Sequence, residues 1–235
     1  MLHYDIHAAQ KAGHDALTVV LLHGRGADET DLAGLRRALP AHWTLVLPRA
    51  PFAGAQWGYG GGYAWYRYLG EDRPEPDSFS ESLAALAELL ETLPGRTGSS
   101  PERTLLGGFS QGGTLSLGYT VAANGNGLAP RGDANENPPA ALPGASAVQK
   151  PRLIANLSGF LPVHPTVQLN ETAIKGTRFF WAHGRLDPAI PFGMAMKGRA
   201  ALRSAGADLT TVDEPGGHWI EPDALAALVD WAGSG

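Results

Sequence analysis

The chain has 235 residues and a formal net charge of −5, and 43% of its residues are hydrophobic, a composition typical of a globular protein. The absence of cysteine excludes disulfide bonds, thiolate metal sites and a cysteine nucleophile, and the negative charge argues against binding to nucleic acid. No apolar run reaches the roughly 18 residues that a membrane span needs, and the polar amino terminus does not resemble a signal peptide. We therefore expect a cytoplasmic protein without stable membrane association.

Short apolar runs predict the strands of a parallel sheet, because strands buried on both faces have nearly continuous apolar sequences. In chain order these runs are Leu17–Leu22, Leu45–Leu47, Thr104–Phe109, Leu153–Leu157, Phe179–Ala182 and the weaker Leu209–Val212. Tyr4–Ile6 is expected to add an edge strand.

The segments between these runs predict helices, since their apolar residues recur with helical spacing. The predicted helices are Asp31–Leu39, Ser78–Leu93 with a capping box at its start, 110–123, Phe192–Ser204 and Asp223–Trp231. Alternating strands and helices predict an α/β fold with a mostly parallel central sheet and helices on both faces. We expect one domain over residues 1–235, with a surface insertion rich in glycine and proline at about 124–151.

The segment Gly108–Gly112 has the pattern G-x-S-x-G, with Ser110 at its centre. The pattern alone is weak, but here it follows a predicted strand and opens a predicted helix, as a nucleophile elbow requires. An ordinary glycine-rich turn is the alternative. In an elbow, the serine hydroxyl would stand clear of the strand at the edge where α/β folds bind ligands.

A serine nucleophile needs a base, and an acid to orient that base. His218 lies after the last predicted strand, which is the expected place for the base, whereas His183 is expected to order its loop and His164 to lie on the surface. Asp187, after the Phe179–Ala182 run, is the preferred acid, and Asp213 is a weaker rival.

The oxyanion of an acyl-transfer intermediate needs preorganised donors. The backbone N–H groups of Gln111, directly after the serine, and of Arg25, in the loop after the first long strand, are the expected pair. The Arg25 side chain either points outward or attracts an acidic substrate group, and the sequence does not decide between the two. Trp65, Tyr66, Phe160 and Leu161 are candidate substrate-binding residues, although large aromatic residues also serve to pack loops.

Motifs for cofactors and metals are absent from the sequence. The chain has no phosphate-binding G-x-x-x-x-G-K-[ST] and no H-E-x-x-H, and Glu29 stands where a dinucleotide fingerprint needs its third glycine. A metal site formed by His23, His183 and His218 is a remote alternative. We therefore expect neither a cofactor nor a metal.

Five segments resemble, in order, those of the phospholipase/carboxylesterase family of α/β-hydrolases: LLHGRGADETDL, GFSQGG, SGFLP, HGRLDPAIP and GGHWI. The resemblance covers about residues 16–232. It implies an α/β-hydrolase fold and a serine hydrolase of carboxylic esters. It further implies a triad of Ser110, Asp187 and His218, with Arg25 and Gln111 as oxyanion donors. Leucine is more usual in the family where Arg25 stands.

The sequence leaves several functions open. A hydrolase of small or short-acyl esters is preferred, and an acyl thioesterase or lysophospholipase with the same triad is the nearest alternative. A catalytically inert binding protein on the same fold is the alternative outside enzymes. The expected partner is a small-molecule ester, and a homodimer is left open.

Overall fold

The computed structural model describes residues 1–11, 16–70, 72–122 and 150–234. The predicted insertion at 124–151 lies outside the described residues except for its last two positions. Within the described parts, the strands are β1 (Tyr4–His7), β2 (Thr18–Leu22), β3 (Thr44–Pro48), β4 (Phe52–Ala53), β5 (Tyr63–Ala64), β6 (Thr104–Phe109), β7 (Leu153–Leu157), β8 (Arg178–Gly184) and β9 (Asp208–Glu214).

Seven of these strands form one sheet in the order β1-β3-β2-β6-β7-β8-β9. All neighbouring pairs are parallel except β1 with β3, which is antiparallel at the edge of the sheet. The predicted parallel sheet and its additional edge strand are thus confirmed. The short strands β4 and β5 form a separate antiparallel pair.

The α-helices of the described residues are α1 (Pro76–Thr97), α2 (Gln111–Ala122), α3 (Glu171–Ile174), α4 (Phe192–Ser204) and α5 (Pro222–Gly233). Helix α4 has the predicted bounds. The capping residue predicted for α1 was wrong. Glu75, rather than Ser78, is the N-cap, and the Glu75 carboxylate accepts a hydrogen bond from the Ser78 backbone N–H. The Ser78–Glu81 capping box is therefore not used.

The predicted helix at Asp31–Leu39 was also wrong in extent, because this segment forms only a short 3₁₀ helix over Ala33–Arg37. Asp28 accepts hydrogen bonds from both the backbone N–H and the hydroxyl of Thr30. Such a local turn competes with the start of a helix. Gly34 further disfavours a full α-helix.

The core lies on both faces of the sheet, because successive residues of a strand point to opposite sides. Val20 and Leu22 belong to one buried cluster, which also holds apolar residues of α1, α2 and α4. Val19 and Leu21 belong to the other cluster, which holds apolar residues of α5. The predicted placement of helices on both faces is confirmed.

Candidate active site

Ser110 occupies a strained turn between β6 and α2, with a φ of 54°. A Cβ on Gly108 would collide with the backbone of Gly112, and a Cβ on Gly112 would collide with the carbonyl of Leu22. Both glycines are therefore required by close backbone approach. Positive φ in a residue other than glycine is uncommon and persists where surrounding structure enforces it.

The backbone of Ser110 is fixed on both sides. Its N–H donates to the Leu157 carbonyl at 2.8 Å, and its own carbonyl accepts from the Thr114 N–H at 3.0 Å. The hydroxyl is thereby held at the carboxyl edge of the sheet, directly after β6.

Ser110, His218 and Asp187 form a continuous hydrogen-bonded series. His218 Nε2 lies 2.9 Å from Ser110 Oγ, and His218 Nδ1 lies 2.7 Å from Asp187 Oδ2. An ionised carboxylate only accepts hydrogen bonds, so Nδ1 of a neutral His218 carries the proton and Nε2 can accept from the serine hydroxyl. The ring of Phe109 packs on the imidazole at a centroid separation of 4.8 Å.

The Asp187 side chain is fully buried and held by its own loop. Its Oδ1 accepts from the backbone N–H groups of Ala189 and Ile190, at 2.9 and 2.8 Å. His183, at the end of β8, donates from Nε2 to the Ile190 carbonyl at 2.8 Å, and the same nitrogen lies 3.4 Å from Asp187 Oδ2. Burial lowers the pKa of His183, so the ring is neutral near pH 7 and orders the loop, as predicted.

The rival acid and the other histidines lie elsewhere. Asp213 pairs with Arg199 and with Arg185, and these contacts leave it no part in orienting His218. The surface position predicted for His164 was wrong: it is only 6% exposed, and its ring packs on Phe79. In the ranges the structure describes, no group of three or more histidine and acidic side chains could hold a metal ion.

A cavity of about 200 Å³ opens in front of Ser110. It is lined by Gly24, Arg25, Tyr66, Tyr68, Phe109, Ser110, Gln111, Phe160, Ala189, Ile190 and His218. A Cβ on Gly24 would lie 3.1 Å from the Phe109 ring and 3.6 Å from Ser110 Cβ, so the loop after β2 runs directly beside the serine. The absence of a side chain at Gly24 permits this approach.

Arg25 and Gln111 both contribute to the cavity lining. Among the described residues, neither backbone N–H donates to a protein acceptor. Each of the two N–H groups therefore has its hydrogen-bonding capacity free among the described residues, in segments that flank the cavity.

The structure separates the four predicted substrate-binding residues into two pairs. Tyr66 and Phe160 line the cavity. Trp65 does not line it: this residue is wholly buried and donates from its indole nitrogen to the His23 carbonyl at 3.0 Å. Leu161 also lies outside the cavity lining and packs against the core cluster that contains α4.

The Gln111 side chain has a role that the sequence analysis missed. Its Oε1 accepts from the Trp65 N–H at 2.8 Å, and its Nε2 donates to the Tyr66 carbonyl at 2.7 Å. This buried amide therefore fixes the segment that supplies Tyr66 to the cavity. One signal for this role was available: Gln111 is a polar residue at the start of a helix whose other positions are buried. A buried polar side chain normally has a hydrogen-bond partner.

The structure also gives His23, which directly precedes Gly24 of the cavity lining, a structural role that the sequence did not predict. Its Nδ1 donates to the Gly24 carbonyl at 2.7 Å, and its Nε2 accepts from the Ala50 N–H at 3.0 Å. Burial lowers the pKa of His23, which keeps the ring neutral, and one nitrogen can then donate while the other accepts. The ring links the loop beside Ser110 to the segment after β3.

The fold and the serine, histidine and carboxylate series define the class as an α/β-hydrolase. The sequence profile of the phospholipase/carboxylesterase family matches residues 5–127, which is more than half of the chain. The chain belongs to the phospholipase/carboxylesterase family and is a carboxylesterase-type serine hydrolase.

Three relatives illustrate the similarity. Acyl-protein thioesterase 1 of Saccharomyces cerevisiae is 27% identical over 196 residues, which cover 77% of this chain and 75% of that protein. The Bacillus cereus carboxylesterase structure has a TM-score of 0.75 at 16% identity, covering 99% of this chain and 93% of that one. Acyl-protein thioesterase 2 of Zea mays has a TM-score of 0.71 at 22% identity, covering 98% and 97%.

None of the helices in the described ranges combines the length and apolarity that crossing a membrane would require.

Proposed function

We propose that the protein hydrolyses small or short-acyl carboxylic esters through an acyl-enzyme formed on Ser110. The observation that carries the proposal is the hydrogen-bonded series from Ser110 Oγ through His218 to Asp187, at 2.9 and 2.7 Å. Distances of this size are those expected between a nucleophile, its base and the acid that orients the base.

In the first half of the reaction, Ser110 Oγ attacks the carbonyl carbon while its proton passes to His218 Nε2. Asp187 stabilises the imidazolium that forms, because its buried carboxylate already accepts from Nδ1. The tetrahedral intermediate collapses by breaking the bond to the alcohol oxygen, and His218 returns the proton to that oxygen. The alcohol leaves and the acyl group remains on the serine.

In the second half, water takes the place of the alcohol. His218 accepts a proton from the water as its oxygen attacks the acyl carbon, and collapse of this second intermediate breaks the bond to Ser110. The serine regains its proton from His218 and the carboxylic acid is released. No oxidant, reductant or cofactor enters the balance.

The negative oxygen of both intermediates would be held by the backbone N–H groups of Arg25 and Gln111. Arg25 and Gln111 line the same cavity as Ser110, and among the described residues neither backbone N–H has a protein acceptor. Fixed donors of this kind stabilise the charge that develops in the transition state without reorganising.

The size of the cavity supports small substrates. At about 200 Å³ it is smaller than the roughly 300–1,000 Å³ typical of sites for drug-sized ligands. Tyr66, Tyr68 and Phe160 provide an apolar wall that suits a short acyl or alcohol group.

Thioester hydrolysis is a second candidate function. The relatives from yeast and maize that resemble this chain are named acyl-protein thioesterases, and the same triad chemistry cleaves a thioester as readily in principle as an ester. Matched oxygen and sulfur esters of the same acyl group would separate the two by their kcat/KM values.

The test of the proposed function is a chromogenic ester series of increasing acyl length, measured with the native protein and with Ser110→Ala. We expect the variant to lose several powers of ten in kcat/KM, and the native protein to favour short chains. Ser100→Ala is the matched control, since the Ser100 hydroxyl lies outside the cavity lining. Retained turnover in Ser110→Ala would contradict the proposal.

A second measurement guards against loss of activity through misfolding. A fluorophosphonate should label the native protein once per chain and should not label Ser110→Ala. Thermal unfolding of both proteins would establish that the variant is folded.

A further inference from the structure

Arg25 brings a positive charge to the cavity. It is exposed, it contributes to the cavity lining, and it follows directly on Gly24, whose backbone runs beside Ser110. No aspartate or glutamate contributes to the described lining. Arg25 is therefore the one residue of this described lining that carries a permanent charge.

The Arg25 guanidinium lies over the ring of Tyr59. Its central carbon lies 4.7 Å from the centroid of the Tyr59 ring, within the range of a cation–π contact. The Tyr59 hydroxyl accepts from the Tyr68 N–H at 2.7 Å, and Tyr68 lines the cavity next to Phe160. The ring that lies against the guanidinium is thus tied to a segment that lines the cavity.

Tyr66 adds no charge to the cavity wall. Burial raises the pKa of the Tyr66 hydroxyl well above its ordinary value, so the hydroxyl stays protonated at neutral pH. Tyr66 therefore lines the cavity as a neutral group.

Arg25 also has no acid of its own among the described residues. No carboxylate there lies within ion-pair distance of it. Asp28, three positions away, uses Oδ1 to accept from Thr30. The five donors of the guanidinium therefore remain available to a carboxylate that a substrate brings.

We infer that Arg25 selects esters that carry a second, negatively charged group, with carboxylate-bearing esters as the favoured substrate class. The neutral apolar wall holds the carbon chain, and the guanidinium binds the anionic end while the ester carbonyl lies at Ser110. The inference rests on the proposed function, because it concerns the substrate of that same site.

The test compares charged esters with neutral ones of matched shape. Monomethyl glutarate against methyl valerate places the carboxylate on the acyl side, and para-acetoxybenzoate against para-acetoxybenzamide places it on the alcohol side. The readout is the ratio of kcat/KM for the charged ester to that for the neutral ester. Since both values come from one protein, a general loss of activity in a variant cancels.

In at least one of the two pairs, we expect Arg25→Leu to lower this ratio about fivefold, which corresponds to about 1 kcal/mol. Arg25→Lys keeps the charge and should retain more of the ratio than Arg25→Leu. Arg37→Leu is the control: it changes the net charge equally, at an exposed residue outside the cavity lining. The native ratio should also fall as salt is added, because exposed charges are screened.

Two results would overturn the inference: ratios unaffected by Arg25→Leu in both pairs, or equal loss in Arg25→Leu and Arg25→Lys. A failure of the proposed function is distinguishable from either, because the native protein would then show no Ser110-dependent turnover of any ester.

Discussion

His218 Nδ1 lies 2.7 Å from Asp187 Oδ2, although 31 positions separate the two residues along the chain. The carboxylate reaches the histidine because β8 and β9 are parallel neighbours, so the loops that follow them meet at the same edge of the sheet. The Asp187 loop is held by two backbone N–H groups and by His183, which leaves Oδ2 directed at the imidazole.

Replacing Asp187 with asparagine should reduce kcat by about three to four powers of ten, because the amide no longer stabilises the imidazolium or the required tautomer. Asp213→Asn is the matched control. We expect this variant to keep the native kcat for esters while lowering the unfolding free energy by about 1–2 kcal/mol, since a neutral amide replaces the carboxylate partner of the buried Arg199. If Asp213→Asn lost as much kcat as Asp187→Asn, the assignment of the acid would be wrong.

Gly112→Ala should destabilise the fold by about 1–3 kcal/mol or more, because the new Cβ would collide with the Leu22 carbonyl. Gly95→Ala, on an exposed turn of α1 with open space around its Cβ, should instead stabilise by about 0.5–1 kcal/mol. Urea unfolding of the two variants measures both effects. Similar changes of the unfolding free energy in the two variants would mean that the Leu22 carbonyl does not exclude a side chain at position 112.

Gln111→Ala should lower the unfolding free energy by about 2 kcal/mol or more, because it leaves the buried Trp65 N–H and Tyr66 carbonyl without their partners. Loosening Tyr66 should also raise KM for the preferred acyl length. Gln168→Ala, at an exposed position, provides the comparison and should change neither quantity. Unaltered stability in Gln111→Ala would show that the amide does not fix this segment.

Stability should fall as the pH drops below about 6.5. Burial lowers the pKa of His23 from 6.5 and also lowers the pKa of His183, so below that pH the unfolded chain binds more protons than the folded protein. The contribution of the two neutral histidines to the unfolding free energy is complete above about pH 6.5. It is lost as the pH falls towards the lower pKa values that His23 and His183 have in the folded protein. His23→Gln should show a shallower decrease of the urea midpoint between pH 7.5 and pH 5; an identical slope would contradict this origin.

The centre of the sheet was predictable from the sequence because β2, β3, β6, β7 and β8 are buried on both faces and their apolar runs are nearly continuous. The edge strands β1 and β9 are partly exposed and gave weaker patterns. The start of α1 was less predictable: Glu75 caps through a carboxylate, while Ser78 is only the donor. The 3₁₀ segment at Ala33–Arg37 was predicted as an α-helix because the spacing of its leucines suits one. The hydrogen-bonded turn between Asp28 and Thr30 competes with the start of that helix, and the periodicity of apolar residues does not reveal such a turn.

The arrangement around Ser110, His218 and Asp187 followed from sequence order and from the rule that the carboxyl ends of parallel strands share an edge. The cavity wall was harder to predict. Trp65 and Tyr66 are neighbours with equal aromatic character, yet one is tied to His23 and the other lines the cavity. The backbone of both residues is held by the Gln111 amide, which lies 46 positions from Trp65, and local sequence does not reveal a contact of that separation.

The site takes its groups from the loops after β2, β6, β8 and β9, so it assembles only when strands distant in the chain have docked together. Contacts of such long sequence separation form late and slowly in folding. Reactivity of Ser110 towards a fluorophosphonate should therefore appear after most secondary structure has formed, which makes the labelling rate during refolding a chemical measure of the final docking step.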